Sequence, residues 1–137
     1  MLPKLKDICK YRLEKSREEL KAAQILFKEG LYSQTLNRSC YAIFSAVRAL
    51  LLMDEFESRK HPELISYFNK NYAAAGIFEK KYSIILAEAE WVKNKSDYRD
   101  FYIASKDSAE EQIKNGSEFI QKMEEYINSR LATIDVD

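Results

Sequence analysis

The stretch that decides the fold is Asn37-Arg38-Ser39-Cys40-Tyr41-Ala42-Ile43-Phe44-Ser45-Ala46-Val47-Arg48-Ala49-Leu50-Leu51. With Leu36 just before it, its apolar positions Cys40, Ile43, Phe44, Val47, Leu50 and Leu51 recur at steps of three and four, the period of an α-helix. They cover most of the circumference, so this segment is expected to be the central and most buried helix. Ser33, following Gly30-Leu31-Tyr32, is the expected N-cap.

Upstream, Cys9, Leu13, Ser16, Leu20, Ala23 and Phe27 form a second amphipathic stripe, and Gly30 is placed to end it. Lys10, Glu14, Arg17, Glu18 and Lys21 give that helix a solvated face of mixed sign. Downstream, Asp54 to Lys60 reads as a charged connection. A short helix is expected to start near His61-Pro62, where proline suits a first turn, and to turn Leu64, Ile65 and Phe68 inward. Asn69 to Gly76 reads as a turn, and Phe78 to Val92 as a fourth helix that Asn94-Lys95-Ser96-Asp97 interrupts. Ser105 or Asp107 caps a last helix with the stripe Ala109, Ile113, Gly116, Ile120, Met123, Ile127 and Leu131. Gly116 inside that stripe costs about 1 kcal/mol of helix propensity, which predicts a close helix approach there. The expected fold is all-α, an up-and-down bundle of four long helices plus one short helix, in a single domain over residues 1–137.

Composition agrees. A chain of 137 residues has room for one core, and 46% hydrophobic residues is too many for disorder. Three glycines and two prolines are too few for the turns of a sandwich or barrel. Twenty-two Lys+Arg against twenty-two Asp+Glu gives no net basic charge, which disfavours a constitutive nucleic-acid binder but leaves a local basic face open. Cys9, Cys40 and a single histidine are too few for a four-coordinate Cys/His zinc site, and no cofactor is implied. The cysteines are expected to be reduced, packed thiols. The longest apolar run, Ala49 to Met53, falls far short of the roughly 20 residues that cross a bilayer, and the N-terminus lacks the apolar core of a signal peptide. A cytoplasmic protein without a membrane partner is expected.

Three groups of residues have chemistry to offer. Arg38, Tyr41 and Ser45 share one face of the central helix at about 100° per residue. A guanidinium beside a phenol and a hydroxyl can bind phosphate, or Arg38 can pair with a carboxylate of a neighbouring helix or a partner subunit. His61 follows Arg59 and Lys60, two cations that favour its neutral form. It serves either as a base or as a capping or surface residue at a helix start. Lys93, Lys95, Asp97, Tyr98 and Arg99, close to Phe101 and Tyr102, can stack and neutralise single-stranded nucleic acid, or form a loop pinned by an aromatic. No glycine loop for phosphate is present, and no serine or cysteine has a recognisable base partner.

The central helix also resembles the second helix of the HEPN domain (higher eukaryotes and prokaryotes nucleotide-binding), whose small prokaryotic members read Asn-Arg-Ala-Tyr-Tyr-Ala-x-Phe-His followed by Ala-Leu-Leu. His61 with Leu64, Ile65 and Phe68 is similar to that group's His-x-x-x-(Ile/Val)-x-x-Phe segment, and Lys93-Asn94-Lys95-Ser96-Asp97-Tyr98 to its Arg-x-x-Ala-Asp-Tyr segment. The three stand in the family's order and spacing, and the resemblance as a whole runs from about residue 10 to residue 128. The resemblance implies a five-helix bundle, a homodimer, and a module of toxin-antitoxin type with a minimal nucleotidyltransferase as partner. It also implies metal-independent RNA cleavage by an Arg and a His four to six residues apart.

The chain departs from that last pattern. The nearest arginines before His61 are Arg59 and Arg48, at two and thirteen residues, so no Arg-x(4–6)-His occurs. Six residues separate Arg38 from Ser45, where members of the family often have His, and Lys93 replaces the Arg of the Asp-Tyr segment. A serine hydroxyl cannot take a 2′-hydroxyl proton unaided, and lysine lacks the bidentate fork. The candidates for catalysis are thus Arg38, Ser45 and His61. Those for holding RNA or a nucleotide are Arg38, Tyr41, Lys93, Asp97 and Tyr98, with Arg38 on phosphate and Asp97 orienting it. The alternative is a non-catalytic nucleotide-binding or helical scaffold protein.

Overall fold

The computed structural model describes residues 3–98 and 102–136, with side chains for 4–95 and 102–134. Five helices follow one another: α1 (Pro3–Lys28), α2 (Tyr32–Leu52), α3 (His61–Phe68), α4 (Lys80–Tyr98) and α5 (Lys106–Val136). Among the described residues there is no strand. Thirteen of the 21 residues of α2 are buried, and it packs against all four other helices, so it is the central helix its apolar circumference implied.

The first reversal is sharp because Gly30 takes φ +77°, which lets Leu31 N–H reach the Leu26 carbonyl and Gly30 N–H the Phe27 carbonyl. Helix α2 begins at Tyr32 with Leu31 before it, and no side chain caps it. Ser33 therefore lies within the first turn and is not the N-cap. Thr35 Oγ1 instead donates to the Leu31 carbonyl, 2.9 Å away. The same reversal closes α2. Glu55 sits at φ 57°, Glu55 N–H donates to the Leu52 carbonyl and Phe56 N–H to that of Leu51.

Three further boundaries differ from the sequence expectation. Asn69–Ala73 is not a turn but one π-helical turn continuing α3, and it buries Tyr72. The chain reverses only at Gly76, with φ +78°. Phe78 precedes α4 yet is buried against Phe68, Tyr72, Tyr82 and Tyr126, so its burial comes from an aromatic cluster and not from the helix stripe. Asn94 to Asp97 does not interrupt α4, which runs to Tyr98, because none of these polar residues forbids helical backbone. Of the two candidate caps for α5 it is Ser105 that acts, its Oγ accepting from Ser108 N–H at 3.0 Å.

The core has two parts. On one side α1, α2 and α5 pack closely. A Cβ on Gly116 would stand 3.3 Å from Leu20 Cδ1 and 3.8 Å from Ile43 Cγ1, which is the close approach the glycine implied. Buried Ser16 donates to the Ala42 carbonyl at 2.6 Å, satisfying the one polar group that α1 turns inward on its stripe. On the other side Phe44, Phe68 and Phe119 fill the space between α2, α3, α4 and α5. Cys9 and Cys40 are buried reduced thiols, and burial pushes the Cys9 thiol above its ordinary pKa. Among the described residues no helix is long and apolar enough to cross a membrane.

Candidate functional site

The first residue of the short helix α3, His61, packs on Phe44 in the middle of α2, and a groove of about 310 Å³ opens beside this contact. Tyr41, Phe44, Ser45 and Arg48 line it from α2, Arg59 from the connection and His61 from the start of α3. A larger depression of about 600 Å³, lined by Phe56, Glu63, Ser66, Tyr67, Lys70 and Asn71, gathers no comparable set of cations.

Each wall has a local cause. Tyr41, Ser45 and Arg48 are spaced i, i+4, i+7 and so face one way on α2. His61 is brought in by the Glu55 reversal and the turn at Ser58, whose Oγ accepts from Lys60 N–H at 3.0 Å and donates to Glu63 at 2.5 Å. Its ring stacks on Phe44 with centroids 3.7 Å apart and planes 6° from parallel, and its Nδ1 lies 3.1 Å from Glu90 Oε2 of α4. The other oxygen of Glu90 accepts from Asn94 Nδ2 at 3.3 Å, which fixes the carboxylate. From the same helix the Lys93 ammonium stands 5.2 Å from the centre of the Tyr41 ring, close enough for a cation–π contact.

The electrostatics favour a neutral histidine and an anionic visitor. Burial is the largest influence on His61 and disfavours the imidazolium; Glu90 acts the other way, and Lys93 and Arg48 push in the direction of burial. The net effect is a pKa below the ordinary value, the direction expected from flanking cations, with burial as the main cause and Lys93 and Arg48 adding to it. Arg48 donates from Nη2 to Glu57 Oε1 at 3.2 Å, and Arg12 pairs with the other oxygen of Glu57. Two guanidinium groups on one carboxylate hold Glu57 below the usual carboxylate pKa, against its partial desolvation. They also leave the cluster with surplus positive charge. Arg48 Nε is buried without an acceptor among the described residues.

The structure thus gathers Tyr41, Ser45, His61 and Lys93 at one place. It does not bring Arg38 there. Arg38 is half exposed and pairs through Nη1 with Glu19 Oε2 of α1 at 3.1 Å, the neighbouring-helix pairing considered for it. The side chains of Asp97 and Tyr98 lie outside the described residues, as do Arg99 and Phe101. Lys95 lies over the Trp91 and Tyr102 rings, 4.5 and 5.2 Å from their centres. Sequence reasoning missed Arg48, Arg59 and Glu90. The helical arithmetic that grouped Arg38, Tyr41 and Ser45 reaches Arg48 when carried one turn further. For Arg59 and Glu90 no local signal existed, since each depends on which helix lies opposite.

The sequence model of the HEPN domain matches residues 9–126. "Putative toxin MJ0605" of Methanocaldococcus jannaschii is 35% identical over 86 residues, which are 63% of this chain and 64% of that protein, so the match spans just under two thirds of this relative's length. The "UPF0332 protein glr0978" of Gloeobacter violaceus is 34% identical over 98 residues, 72% of this chain and 75% of its own. The crystal structure of TT1696 from Thermus thermophilus superposes with a TM-score of 0.71 over 85% of this chain and 96% of that one. At 17% identity this last likeness bears on the fold alone.

Proposed function

Because the chain belongs to the HEPN domain family, we propose that it is a toxin-like HEPN protein whose α2–α3 groove binds the phosphodiester backbone of RNA. It works as a cytoplasmic homodimer in a two-component module with a minimal nucleotidyltransferase. The observation that carries this reading is the convergence of Arg48 and Arg59 with Tyr41, Ser45 and His61 in one groove. Guanidinium groups suit phosphate oxygens, and the Tyr41 ring offers a face on which a base can stack. A protein neutral overall then binds RNA through one basic groove and not over its whole surface. The Methanocaldococcus jannaschii relative, itself named as a toxin, favours the toxin-like role. Ile84 and Trp91, seven residues apart on one face of α4 and each more than half exposed, favour a partner surface.

The test is equilibrium binding of a 5′-labelled RNA of mixed sequence to the purified full chain, with Arg48→Ala and Arg59→Ala alongside. Saturable binding weakened by both substitutions is the expected result; equal binding by all three proteins, or none by the wild type, removes the reading. Co-purification with a nucleotidyltransferase encoded beside it tests the partner. The second reading, a non-catalytic nucleotide-binding or scaffold subunit, is favoured by Ser45 standing at the histidine position of the HEPN pattern that the central helix resembles.

A further inference from the structure

We propose that Arg12 and Arg48 form a second seat for a phosphate group beside the groove, which the Glu57 carboxylate fills in the free protein and leaves when RNA binds. This rests on the groove binding the RNA backbone as read above, and it adds Arg12 of α1 to the residues that the backbone meets. The seat is built from three elements. Arg12 and Arg48 each donate from Nη2 to Glu57, one to each carboxylate oxygen, the second at 3.2 Å. Arg12 Nη1 also donates to the Arg48 carbonyl at 3.3 Å, which fixes its guanidinium against α2. Two guanidinium groups facing the two oxygens of one anion suit a phosphodiester, whose two non-bridging oxygens share the charge as those of a carboxylate do. The Arg12 side chain is only 15% exposed, so its charge needs an anion in that place. Because Arg48 lines the groove as well, a phosphate in the seat stands next to one in the groove.

Glu57 is the part of this arrangement that can move. Its side chain is 46% exposed, and it comes from the connection between α2 and α3 and not from a helix. The residues on either side of it are anchored. Phe56 stacks on Tyr67 with ring centroids 4.2 Å apart, and Ser58 is bonded to Lys60 N–H and to Glu63. Rotation of the Glu57 side chain into water therefore opens the seat without displacing the backbone. The two arginines hold the carboxylate below its usual pKa range, so at neutral pH it is an anion competing for the same donors. If it is seated about nine-tenths of the time, the apparent affinity for an incoming phosphate falls about tenfold. In the free protein the same contact spares Arg12 an unpaired charge.

The experiment compares the full chain with Glu57→Gln, Arg12→Gln, the double variant and Glu55→Gln, the last removing the same charge two residues away. Two quantities are followed: equilibrium binding of a 5′-labelled RNA of mixed sequence, and the midpoint of thermal unfolding as inorganic phosphate replaces chloride at constant ionic strength. Glu57→Gln should bind RNA about tenfold more tightly than the wild type. Its midpoint should be lower in chloride, from loss of the bridging carboxylate, and should rise in phosphate at concentrations that leave the wild type unmoved. Arg12→Gln should weaken RNA binding, reduce the slope of log K against log salt by about 1, and cancel both gains in the double variant. Glu55→Gln should show neither gain. A Glu57→Gln protein that loses stability and gains no affinity overturns the seat, and so does a gain that Glu55→Gln matches or that persists without Arg12. RNA binding by the wild type then leaves the groove reading standing. A phosphate response confined to Glu57→Gln, with no RNA bound by any of the proteins, keeps the seat and removes RNA as its ligand together with the groove reading.

Discussion

Two arginine sites flank the connection between α2 and α3, and they are held in opposite ways. At its start Asp54 closes a network. Arg130 of α5 donates to Asp54 Oδ1 at 2.7 Å, to the Tyr72 hydroxyl at 3.0 Å and to the Met53 carbonyl at 3.4 Å. The Tyr72 and Tyr67 hydroxyls donate to Asp54 Oδ2 at 2.6 and 3.3 Å. Burial and the adjacent carboxylate raise the Tyr72 pKa, while Asp54 and Tyr72 raise that of Arg130 against its partial desolvation. Beside the start of α3, Arg48 of α2 and Arg59 of the connection line an open groove, and the carboxylate on Arg48 is shared with Arg12. One arginine is saturated and ties three elements together; the other two keep charge to spare. What remains after internal pairing separates an arginine that holds the fold from one available to a ligand.

Breaking the first site should affect stability alone. Asp54→Ala leaves Arg130, Tyr72 and Tyr67 without their acceptor; since both partners of the ion pair are partly exposed, the expected loss is about 2 kcal/mol in denaturant unfolding, with RNA affinity unchanged. A fall in affinity would erase the distinction between the two sites. Emptying the second site should do the reverse. Arg48→Ala and Arg59→Ala are each expected to weaken RNA binding roughly tenfold, about 1.4 kcal/mol, and to reduce the slope of log K against log salt by about 1.

Between the two sites Glu55 holds a left-handed backbone that favours glycine. Glu55→Gly is expected to raise the denaturation midpoint by about 1 kcal/mol of stability and to leave binding alone. The smallest effect concerns pH. The folded pKa of His61 is lowered, so the unfolded chain binds more protons as pH falls below the ordinary value of 6.5. The stability contributed by neutral His61 is complete above that value and is lost as pH falls through the folded pKa. His61→Asn should therefore show a flatter stability profile over that interval, and an unchanged slope would remove His61 as the titrating group.

Much of the fold was legible because helical period is local. The stripes of α1, α2 and α5, the stop at Gly30 and the approach at Gly116 follow from spacing and from residues that tolerate few alternatives. The misread segments share a different cause. Asn69–Ala73 and Asn94–Asp97 are polar and looked like breaks, but helix continues through polar residues when neither proline nor a reversal intervenes. Phe78 was assigned to a helix stripe because its burial depends on rings from three other segments.

The sequence by itself determined the helices, their order, the buried character of α2 and the family to which the chain belongs, since each is written in the period and identity of residues close along the chain. It also determined that no Arg-x(4–6)-His is present. Tertiary structure alone decided which charged residues meet. A residue's spacing fixes the face of its own helix but not the helix opposite. The packing of His61 on Phe44 therefore had to be seen before His61 could be set between Glu90 and two arginines, and the pairing of α1 with α2 before Arg38 could be set apart from them with Glu19.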